Sequence, residues 1–363
     1  MGRVLILSNS SAGLYRFRKE LMTALLADNE VFASLPDEDY AEEISALGVS
    51  FVKTQFNRNG LNPLRELALT RRYRTMIRDI KPDAVLTYTS KPNIYGNIAA
   101  RRQKIPVIST VTGLGNRFKS KRPISVIMKL LYRHAFSKTA CVAFQNKEDS
   151  EIMREVGILK NQRTLFVPGS GVNLQQYEVL EYPDEPVVSF LFMGRIKPTK
   201  GLRELAEATR RLKSKPQTPD FCVKIMGRDL GELSIEEMTK DGFVEYIGYQ
   251  KDVVPHIRAA HCIMMPSYSE GTSNVLLEGA ASGRPLIATN ISGCREIIDD
   301  GINGFLCQPR DVDSLYDCME RFLMLTHDQR VEMGLASRRK VEEVFSREIV
   351  VSAMVREIEI HTH

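Results

Sequence analysis

Short apolar runs rich in β-branched residues alternate with helical patterns along the first half of the chain. The runs at 4–7, 84–87, 107–111 and 140–144 are expected to be buried strands. The segments 14–26, 64–79, 95–103 and 124–136 have the apolar spacing of helices. This alternation is typical of a parallel sheet covered by helices.

The pattern changes near residue 165 and then resumes. Residues 165–172 have the character of one strand, and a polar segment rich in Glu and Pro follows it to Pro186. Further strands are expected at 187–193, 222–226, 244–247, 262–265 and 286–288. The predicted fold is α/β, with two Rossmann-like, doubly wound parallel-sheet domains that face a central cleft and bind ligands at the carboxyl ends of their strands.

The expected boundaries follow from these patterns. Residues 1–170 form the first domain, 171–186 a linker and 187–340 the second domain. The tail from Asp328 is helical in pattern. A length of 363 residues also suits two domains of about 150–180 residues better than one core.

Charge is distributed unevenly. Residues 1–170 carry 27 Lys and Arg against 15 Asp and Glu, a balance of +12, whereas the whole chain has only +5. A basic first domain suggests an anionic partner, either a polyphosphate substrate or a membrane leaflet. Nucleic acid is not expected, because the chain has no Trp, no nucleic-acid-binding motif and little interleaving of aromatic with basic residues.

Location and redox state can also be predicted. No run of eighteen apolar residues occurs, and Met1–Ser8 resembles a first buried strand more than a secretory signal. The protein is therefore expected in the cytoplasm. Its six cysteines lack metal-ligand spacing and are expected to be reduced, buried thiols.

The segment 267–280 joins two carboxylates to a loop that opens a helix. Backbone N–H groups of Thr272, Ser273 and Asn274 would be unpaired donors at the positive end of the helix dipole, where phosphates bind. Glu270 and Glu278 repel phosphate and should face hydroxyl groups. A ligand with both phosphates and sugar hydroxyls satisfies this pattern.

A second loop, at 194–201, follows the strand 187–193 and precedes a helical pattern. Gly194 permits a sharp turn, and Arg195 and Lys200 could neutralise a departing diphosphate. The alternative for both loops is ordinary: solvated surface charges and a helix cap.

The two motifs in this order, 194–201 followed by 270–287, resemble the nucleotide-sugar half of the retaining glycosyltransferases of family 4, which have the GT-B fold. The resemblance implies that Arg195 and Lys200 stabilise the leaving diphosphate, and that no protein nucleophile is needed. It assigns donor-sugar hydroxyls to Glu270 and the ribose to Glu278. Further donor-binding positions are expected at Gly13, Gly194, Gly271, Thr272, Ser273 and Asn274, although the loop with Gly13 could be only a flexible turn. In such an enzyme the last helix, expected at 341–363, crosses back onto the first domain.

Two loops of the first domain, at 89–96 and 111–115, resemble the acceptor side of bacterial family-4 enzymes that build capsule, O-antigen and glycoprotein glycans on polyprenyl diphosphate. Acceptor contacts are expected from Lys91, Thr112, Gly113 and Gly115. Lys91 could equally be a plain surface lysine, and the glycines could only make a tight turn.

The resemblance implies transfer of a hexose or N-acetylhexosamine from a UDP-sugar donor to a hydroxyl of a polyprenyl-diphosphate-linked saccharide. A UDP-sugar 2-epimerase of the same fold and a non-catalytic nucleotide-sugar-binding scaffold are the alternatives. Asp37-Glu38-Asp39 and Asp311-Val312-Asp313 resemble metal-binding Asp-x-Asp sequences, but helix capping explains them better. No metal or other cofactor is expected.

A basic cluster, 119–122, precedes an apolar-rich helix with further cations. Such a segment could lie in lipid headgroups and would place the protein peripherally on the inner face of the plasma membrane. The alternative is an amphipathic helix packed on its own sheet. His134 on this helix matches no motif and is expected to be packed or solvated rather than catalytic.

Overall fold

The computed structural model describes residues 1–58, 60, 62–114, 118 and 123–362. The chain divides into two compact units. Unit 1 comprises Met1–Ser170 with Arg347–His363, and unit 2 comprises Gly171–Ser346.

Unit 1 is built on a seven-stranded parallel sheet with the order β3-β2-β1-β4-β5-β6-β7. The order reverses between β1 and β4, so loops at the carboxyl ends of these strands flank a crevice of the kind that binds ligands. The strands are β1 Gly2–Leu7, β2 Asn29–Leu35, β3 Ser50–Lys53, β4 Ala84–Tyr88, β5 Val107–Val111, β6 Cys141–Phe144 and β7 Arg163–Phe166. The helices are α1 Ser11–Leu25, α2 Ala41–Ala46, α3 Pro63–Ile80, α4 Asn97–Ala100, α5 Pro123–Phe136 and α6 Lys147–Glu155, and a π-helical turn, Pro92–Gly96, precedes α4.

Unit 2 repeats this plan with six parallel strands in the order β10-β9-β8-β11-β12-β13. Its strands are β8 Val188–Met193, β9 Phe221–Met226, β10 Val244–Tyr246, β11 Cys262–Met265, β12 Leu286–Thr289 and β13 Gly304–Cys307. Its helices are α7 Leu202–Ser214, α8 Ile235–Thr239, α9 Val254–Arg258, α10 Asn274–Ala281, α11 Val312–Leu323 and α12 His327–Val344. The central strands β8, β11 and β12 are buried along their whole length, as parallel strands with covered faces require.

Two doubly wound parallel sheets are therefore confirmed, with several corrections to the predicted elements. The sequence patterns missed β2, β3 and β13. The strand expected at 165–172 exists with other bounds: β7 begins at Arg163 and ends at Phe166, and Val172 instead bridges Ser346 within unit 2.

The polar segment expected as a linker, 171–186, clusters with unit 2. Arg284, a fully buried side chain, anchors it. The Arg284 guanidinium donates through Nη1 to the carbonyl of Leu180 at 3.1 Å and through Nη2 to that of Glu181 at 2.6 Å. The Tyr182 hydroxyl then donates to the carbonyl of His261 at 2.8 Å.

The helical tail is divided between the units. Helix α12 ends at Val344 in unit 2, and a new helix, α13, runs Arg347–Thr362 in unit 1. Buried Val350, Met354 and Ile358 of α13 share a core cluster with residues of α1 and β1. Nε of Arg163 on β7 also donates to Glu357 of α13 at 2.7 Å. The last helix thus belongs to the first unit, and it begins at Arg347 rather than at residue 341.

The helices and the cysteines also bear on the predictions about membrane spans and thiols. Across the described ranges, no helix is both long enough and apolar enough to cross a bilayer. All six cysteines are free thiols; five are buried and Cys222 is half-buried, close to the prediction.

Candidate active site

The loops after β8 and β11 lie side by side at the carboxyl edge of the unit 2 sheet, because these strands pair in parallel. The Tyr268 amide donates to the carbonyl of Thr199 at 3.0 Å. Gly201 has φ +68°, and a Cβ there would lie 2.0 Å from the carbonyl oxygen of Pro266. Only glycine allows this approach, so Gly201 fixes the distance between the two predicted motifs.

The close approach brings Lys200 and Glu270 together. Nζ of Lys200 donates to Oε1 of Glu270, and the two side chains are only 12% and 17% exposed. The structure thus unites two residues that lie far apart in sequence. It also gives Glu270 a cationic partner that the motif analysis did not predict. Burial raises the pKa of the nearby Cys294 thiol, which stays protonated and is no nucleophile.

Two further cations lie in the same loop. Arg195 is exposed, and its guanidinium has no ion-pair or hydrogen-bond partner in the described ranges. Lys197 is half-buried, and burial together with the neighbouring Arg195 and Lys200 lowers the pKa of its ammonium. Sequence reasoning missed Lys197, although its position between the two chosen cations was a usable signal.

Helix α10 begins directly after the Glu270 loop. Ser273 caps it, because its Oγ accepts from the Leu276 amide at 3.4 Å. The Ser273 amide donates to the carbonyl of Gly293 at 2.9 Å, so the prediction that this N–H is unpaired is wrong. The amides of Thr272 and Asn274 have no acceptor in the part of the chain that is described, and they remain available to an anion.

Gly293 lets its own loop pack against the same segment. It has φ +89°, and a Cβ there would lie 2.4 Å from the carbonyl oxygen of Gly271. Glu278 is half-buried on α10, one turn after Asn274, so both side chains lie on one face. The Gly194 amide donates to the carbonyl of Met226 at 2.8 Å, so this N–H is already paired within unit 2.

Tyr268 adds a polar group that the motifs did not indicate. Its hydroxyl donates to Oε1 of Glu204 at 2.6 Å, and the Arg310 guanidinium lies 4.8 Å from its ring centroid. Hydrogen bonding to Glu204 and burial raise the pKa of Tyr268 to about 12, with burial the larger cause. The phenol therefore stays protonated and keeps donating its hydrogen bond to Glu204.

In unit 1, Lys91 pairs with Glu66 of α3, and the two side chains are 12% and 11% exposed. The surface-lysine alternative is therefore wrong. Oε2 of Glu66 is buried without a hydrogen-bond partner in the described chain. Thr89, two residues before Lys91, has the strained value φ +73° for a non-glycine residue. The sequence did not indicate Glu66, because it lies 25 residues before Lys91.

Four other predicted positions of unit 1 are Thr112, Gly113, Gly115 and Gly13. Thr112 is half-buried directly after β5, and Gly113 has φ +117°, a value that favours glycine whether or not its amide contacts an acceptor. Gly115 lies outside the described residues. Gly13 lies in the first turn of α1, where its amide donates to Oγ of Ser10 at 3.1 Å.

The two Asp-x-Asp sequences differ. Asp311 caps α11 by accepting from the Ser314 amide at 3.0 Å, as predicted. Asp37 does not cap α2; it accepts from the amide of Ser11 at 3.1 Å and pairs with Arg58. No group of three His, Cys, Asp or Glu residues suited to a metal ion occurs within the described ranges.

His134 is exposed on α5, with its ring 3.3 Å from Nη1 of Arg101, as the solvated alternative predicts. The basic cluster predicted at 119–122 lies outside the described residues.

Two protein families match successive parts of the chain. The family described as Glycosyl transferase 4-like matches residues 3–146, and the family described as Glycosyl transferases group 1 matches residues 188–324. The first match falls in unit 1 and the second in unit 2.

Curated relatives are similar over most of their length. A Campylobacter jejuni protein named N,N'-diacetylbacillosaminyl-diphospho-undecaprenol alpha-1,3-N-acetylgalactosaminyltransferase is 26% identical over 92% of this chain and 92% of its own. An Escherichia coli protein named UDP-Gal:alpha-D-GlcNAc-diphosphoundecaprenol alpha-1,3-galactosyltransferase is 26% identical over 68% of this chain and 67% of its own.

Solved structures agree in fold. A glycosyltransferase from Rickettsia africae has a TM-score of 0.81 at 18% identity, covering 99% of this chain and 98% of its own. The Anabaena protein HepE in complex with UDP has a TM-score of 0.80 at 15% identity, covering 99% and 100%. With both family matches in order and two Rossmann-like sheets, the chain belongs to the GT-B glycosyltransferases of the group 1 and family-4 type.

Proposed function

We propose that the protein is a retaining glycosyltransferase that moves a hexose or N-acetylhexosamine from a UDP-sugar to a hydroxyl of a polyprenyl-diphosphate-linked saccharide. The observation that carries the proposal is the cluster of Arg195, Lys197 and Lys200 beside Glu270 at the carboxyl edge of the unit 2 sheet. Three cations and one carboxylate suit a ligand with a diphosphate next to sugar hydroxyls.

The cations have the right placement to stabilise charge that develops as the donor breaks. Arg195 has an open guanidinium fork for phosphate oxygens. Lys200 is held by Glu270, so its position is fixed before the donor arrives, and such preorganisation is what makes electrostatic stabilisation effective. The free amides of Thr272 and Asn274 add donors at the start of α10.

In the proposed step, the acceptor hydroxyl forms a bond to the anomeric carbon as the bond from that carbon to the β-phosphate oxygen breaks. UDP leaves, and its phosphate oxygen takes the acceptor's proton on the same face of the sugar. Glu270 holds a donor-sugar hydroxyl with its remaining acceptor capacity, Glu278 binds the ribose, and no metal ion takes part.

The acceptor is proposed from the relatives and from unit 1. The two curated relatives above carry names that specify diphosphoundecaprenol-linked sugars. In unit 1, β4 and β5 pair in parallel with Tyr88 opposite Thr110, so the loops that carry Thr89, Lys91, Thr112 and Gly113 leave the same edge of the sheet. A lipid-linked acceptor would also place the protein peripherally on the anionic inner face of the plasma membrane.

The test is a screen of UDP-sugars against polyprenyl-diphosphate sugars, with mass spectrometry of the lipid product. We expect a product heavier by one sugar residue with one donor, and Lys200→Ala should lower turnover by about two to three powers of ten. The matched control is Lys240→Ala, an exposed lysine after α8, which should leave turnover unchanged. Retention is read from the anomeric coupling of the product.

The alternatives make different predictions. A 2-epimerase would convert UDP-N-acetylhexosamine alone to its C2 epimer, and a scaffold would bind UDP without any turnover. Neither relative named above is an epimerase, and the cation cluster suits a departing diphosphate better than a purely structural role.

A further inference from the structure

Tyr268, in the loop after β11, contacts the neighbouring motif through both its backbone and its side chain. Its amide donates to the carbonyl of Thr199 at 3.0 Å, and its hydroxyl donates to Oε1 of Glu204 at 2.6 Å. Thr199 directly precedes Lys200, and Glu204 lies in the first turn of α7, four residues after Lys200. One residue of the β11 loop therefore holds the chain on both sides of Lys200.

The half-buried Glu204 carboxylate depends on this contact. Its Oε2 is buried and has no hydrogen-bond partner among the described residues. The Tyr268 phenol is thus the only hydrogen-bond donor that the described chain offers to this carboxylate. Loss of that donor would be costly, because a carboxylate shielded from water cannot replace the bond with a hydrated one. We therefore expect the bond between Tyr268 and Glu204 to persist in solution.

A third element restrains the ring of Tyr268. Arg310, in the loop after β13, has its guanidinium carbon 4.8 Å from the ring centroid, within the range of a cation–π contact. Arg310 has φ +63°, a left-handed conformation that is uncommon for a residue other than glycine. Such backbone strain persists only where surrounding contacts hold the residue. Contacts with Thr199, Glu204 and Arg310 together leave the Tyr268 side chain little freedom.

We propose that Tyr268 is a positioning residue, which holds the Glu270 loop against the Lys200 loop so that the Lys200–Glu270 ion pair is formed before the donor binds. Glu270 follows Tyr268 by only two residues, so the anchored tyrosine limits how far the carboxylate can move. The phenol acts through the ion pair and does not itself touch the donor. The proposal rests on the proposed function for the reaction that the pair serves.

A purely structural role for Tyr268 can be separated from positioning by a matched tyrosine. The Tyr182 hydroxyl also donates to an oxygen of unit 2, the carbonyl of His261 at 2.8 Å. His261 directly precedes β11, so this bond lies at the amino edge of the sheet, opposite the loops of the site. Tyr182→Phe therefore removes the same chemical group as Tyr268→Phe without touching either motif.

The first experiment labels the full chain with limiting acetic anhydride and measures each lysine by peptide mass spectrometry. Acylation needs a lysine amine that is free of its ion pair, so the rate at Lys200 reports on the pair without any sugar transfer. Tyr268→Phe should raise labelling of Lys200 at least about threefold relative to exposed Lys240, whereas Tyr182→Phe should leave it unchanged. Circular dichroism melts confirm that each variant is folded.

Two variants of Glu204 test the same contact from its other side. Glu204→Gln keeps an acceptor for the phenol, so its Lys200 labelling should resemble that of the wild type. Glu204→Leu has a similar size but no acceptor, and its labelling should resemble that of Tyr268→Phe.

The second experiment uses the transfer reaction. Tyr268→Phe should lower kcat about tenfold with little change in KM for the donor, because a misplaced charge-stabilising group weakens the transition state more than the ground state. In a Lys200→Ala background the same substitution should have no further effect, since the group that it positions is absent.

Equal labelling of Lys200 in the wild type and in Tyr268→Phe overturns the proposal, as do kcat losses of Tyr268→Phe and Lys200→Ala that multiply. A kcat loss of the same size in Tyr182→Phe assigns the effect to general stability and also overturns it. A wild type that transfers no sugar refutes the proposed function, and the labelling result then still decides whether Tyr268 positions the ion pair.

Discussion

Lys200 and Glu270 form an ion pair in which both side chains are more than four-fifths buried, at 12% and 17% exposure. The pair neutralises part of the charge that a diphosphate would otherwise meet. It also removes the flexibility of a free lysine, which would cost binding energy on each donor encounter. Glu270 can therefore act by positioning Lys200 as well as by touching the donor sugar.

These two roles of Glu270 can be separated with a double-mutant cycle. If Glu270 acts chiefly through Lys200, the pair Lys200→Ala with Glu270→Gln should lose no more kcat/KM than Lys200→Ala alone. Kinetics of both single variants and the double variant measure this coupling. Losses that simply multiply would assign Glu270 an independent contact with the donor.

Lys197 should contribute to nucleotide affinity. Replacing its ammonium by a neutral amide, Lys197→Gln, should weaken UDP binding about tenfold, the scale of one charge-assisted hydrogen bond. Calorimetric titration with UDP measures the effect, and Lys240→Gln is the control.

The pKa of Lys197 adds a pH signature. Burial and the cations Arg195 and Lys200 lower it from the usual 10.5, so the ammonium deprotonates sooner than other lysines as pH rises. Wild-type UDP affinity should then begin to fall at a lower alkaline pH than that of Lys197→Gln. Parallel pH profiles for the two proteins would contradict a role for this charge.

Gly201→Ala should destabilise unit 2. The new Cβ would meet the carbonyl of Pro266 at 2.0 Å in addition to the strain of φ +68°. We expect a loss of about 3 kcal/mol or more in the free energy of unfolding, measured in urea. Gly242→Ala isolates the strain, because Gly242 has φ +70° with no atom within 4 Å, and it should cost only about 1 kcal/mol. Equal losses would show that the close approach does not exist in solution.

Unit 1 should lose stability in acid through Glu357. Burial raises the pKa of this carboxyl, but hydrogen bonds from Arg163, Cys141 and His361 together lower it below the usual 4.5. A lowered acid pKa stabilises the fold above the unfolded value and loses that contribution as pH falls through the folded value. The stability difference between wild type and Glu357→Gln should therefore shrink below about pH 4.5, as measured by denaturant titrations at several pH values. A difference that stays constant on acidification would contradict the pairing.

Local sequence patterns predicted the strands and motifs that depend only on residues adjacent in the sequence. Buried strand β11 has a continuous apolar sequence and β5 is rich in β-branched residues, and the predicted bounds of both agree with the structure. Both sheets and the family resemblance could be predicted from the sequence, since each motif lies at a single strand-to-helix junction. Strands β2, β3 and β13 were missed, and β2 and β3 mix polar residues into runs that alone resemble loops.

Pairing between distant residues could not be predicted. Lys91 is largely covered by its pairing with Glu66 of α3, and Asp37 accepts from the Ser11 amide at the start of α1 rather than capping the helix that follows it. The Ser273 amide was predicted to be unpaired, but it donates to the carbonyl of Gly293, twenty residues later. In each case the partner comes from the folding of the sheet, which brings together loops that the linear pattern treats separately.

The assembly of unit 1 from both parts of the chain has a consequence for synthesis. Helix α13 supplies Val350, Met354 and Ile358 to a core whose other members lie before residue 170. When only those earlier residues have emerged from the ribosome, that apolar surface is exposed to water and chaperones. Unit 2 emerges complete before α13 does, so the second half of the polypeptide can reach its native state while the first half still waits for its final helix.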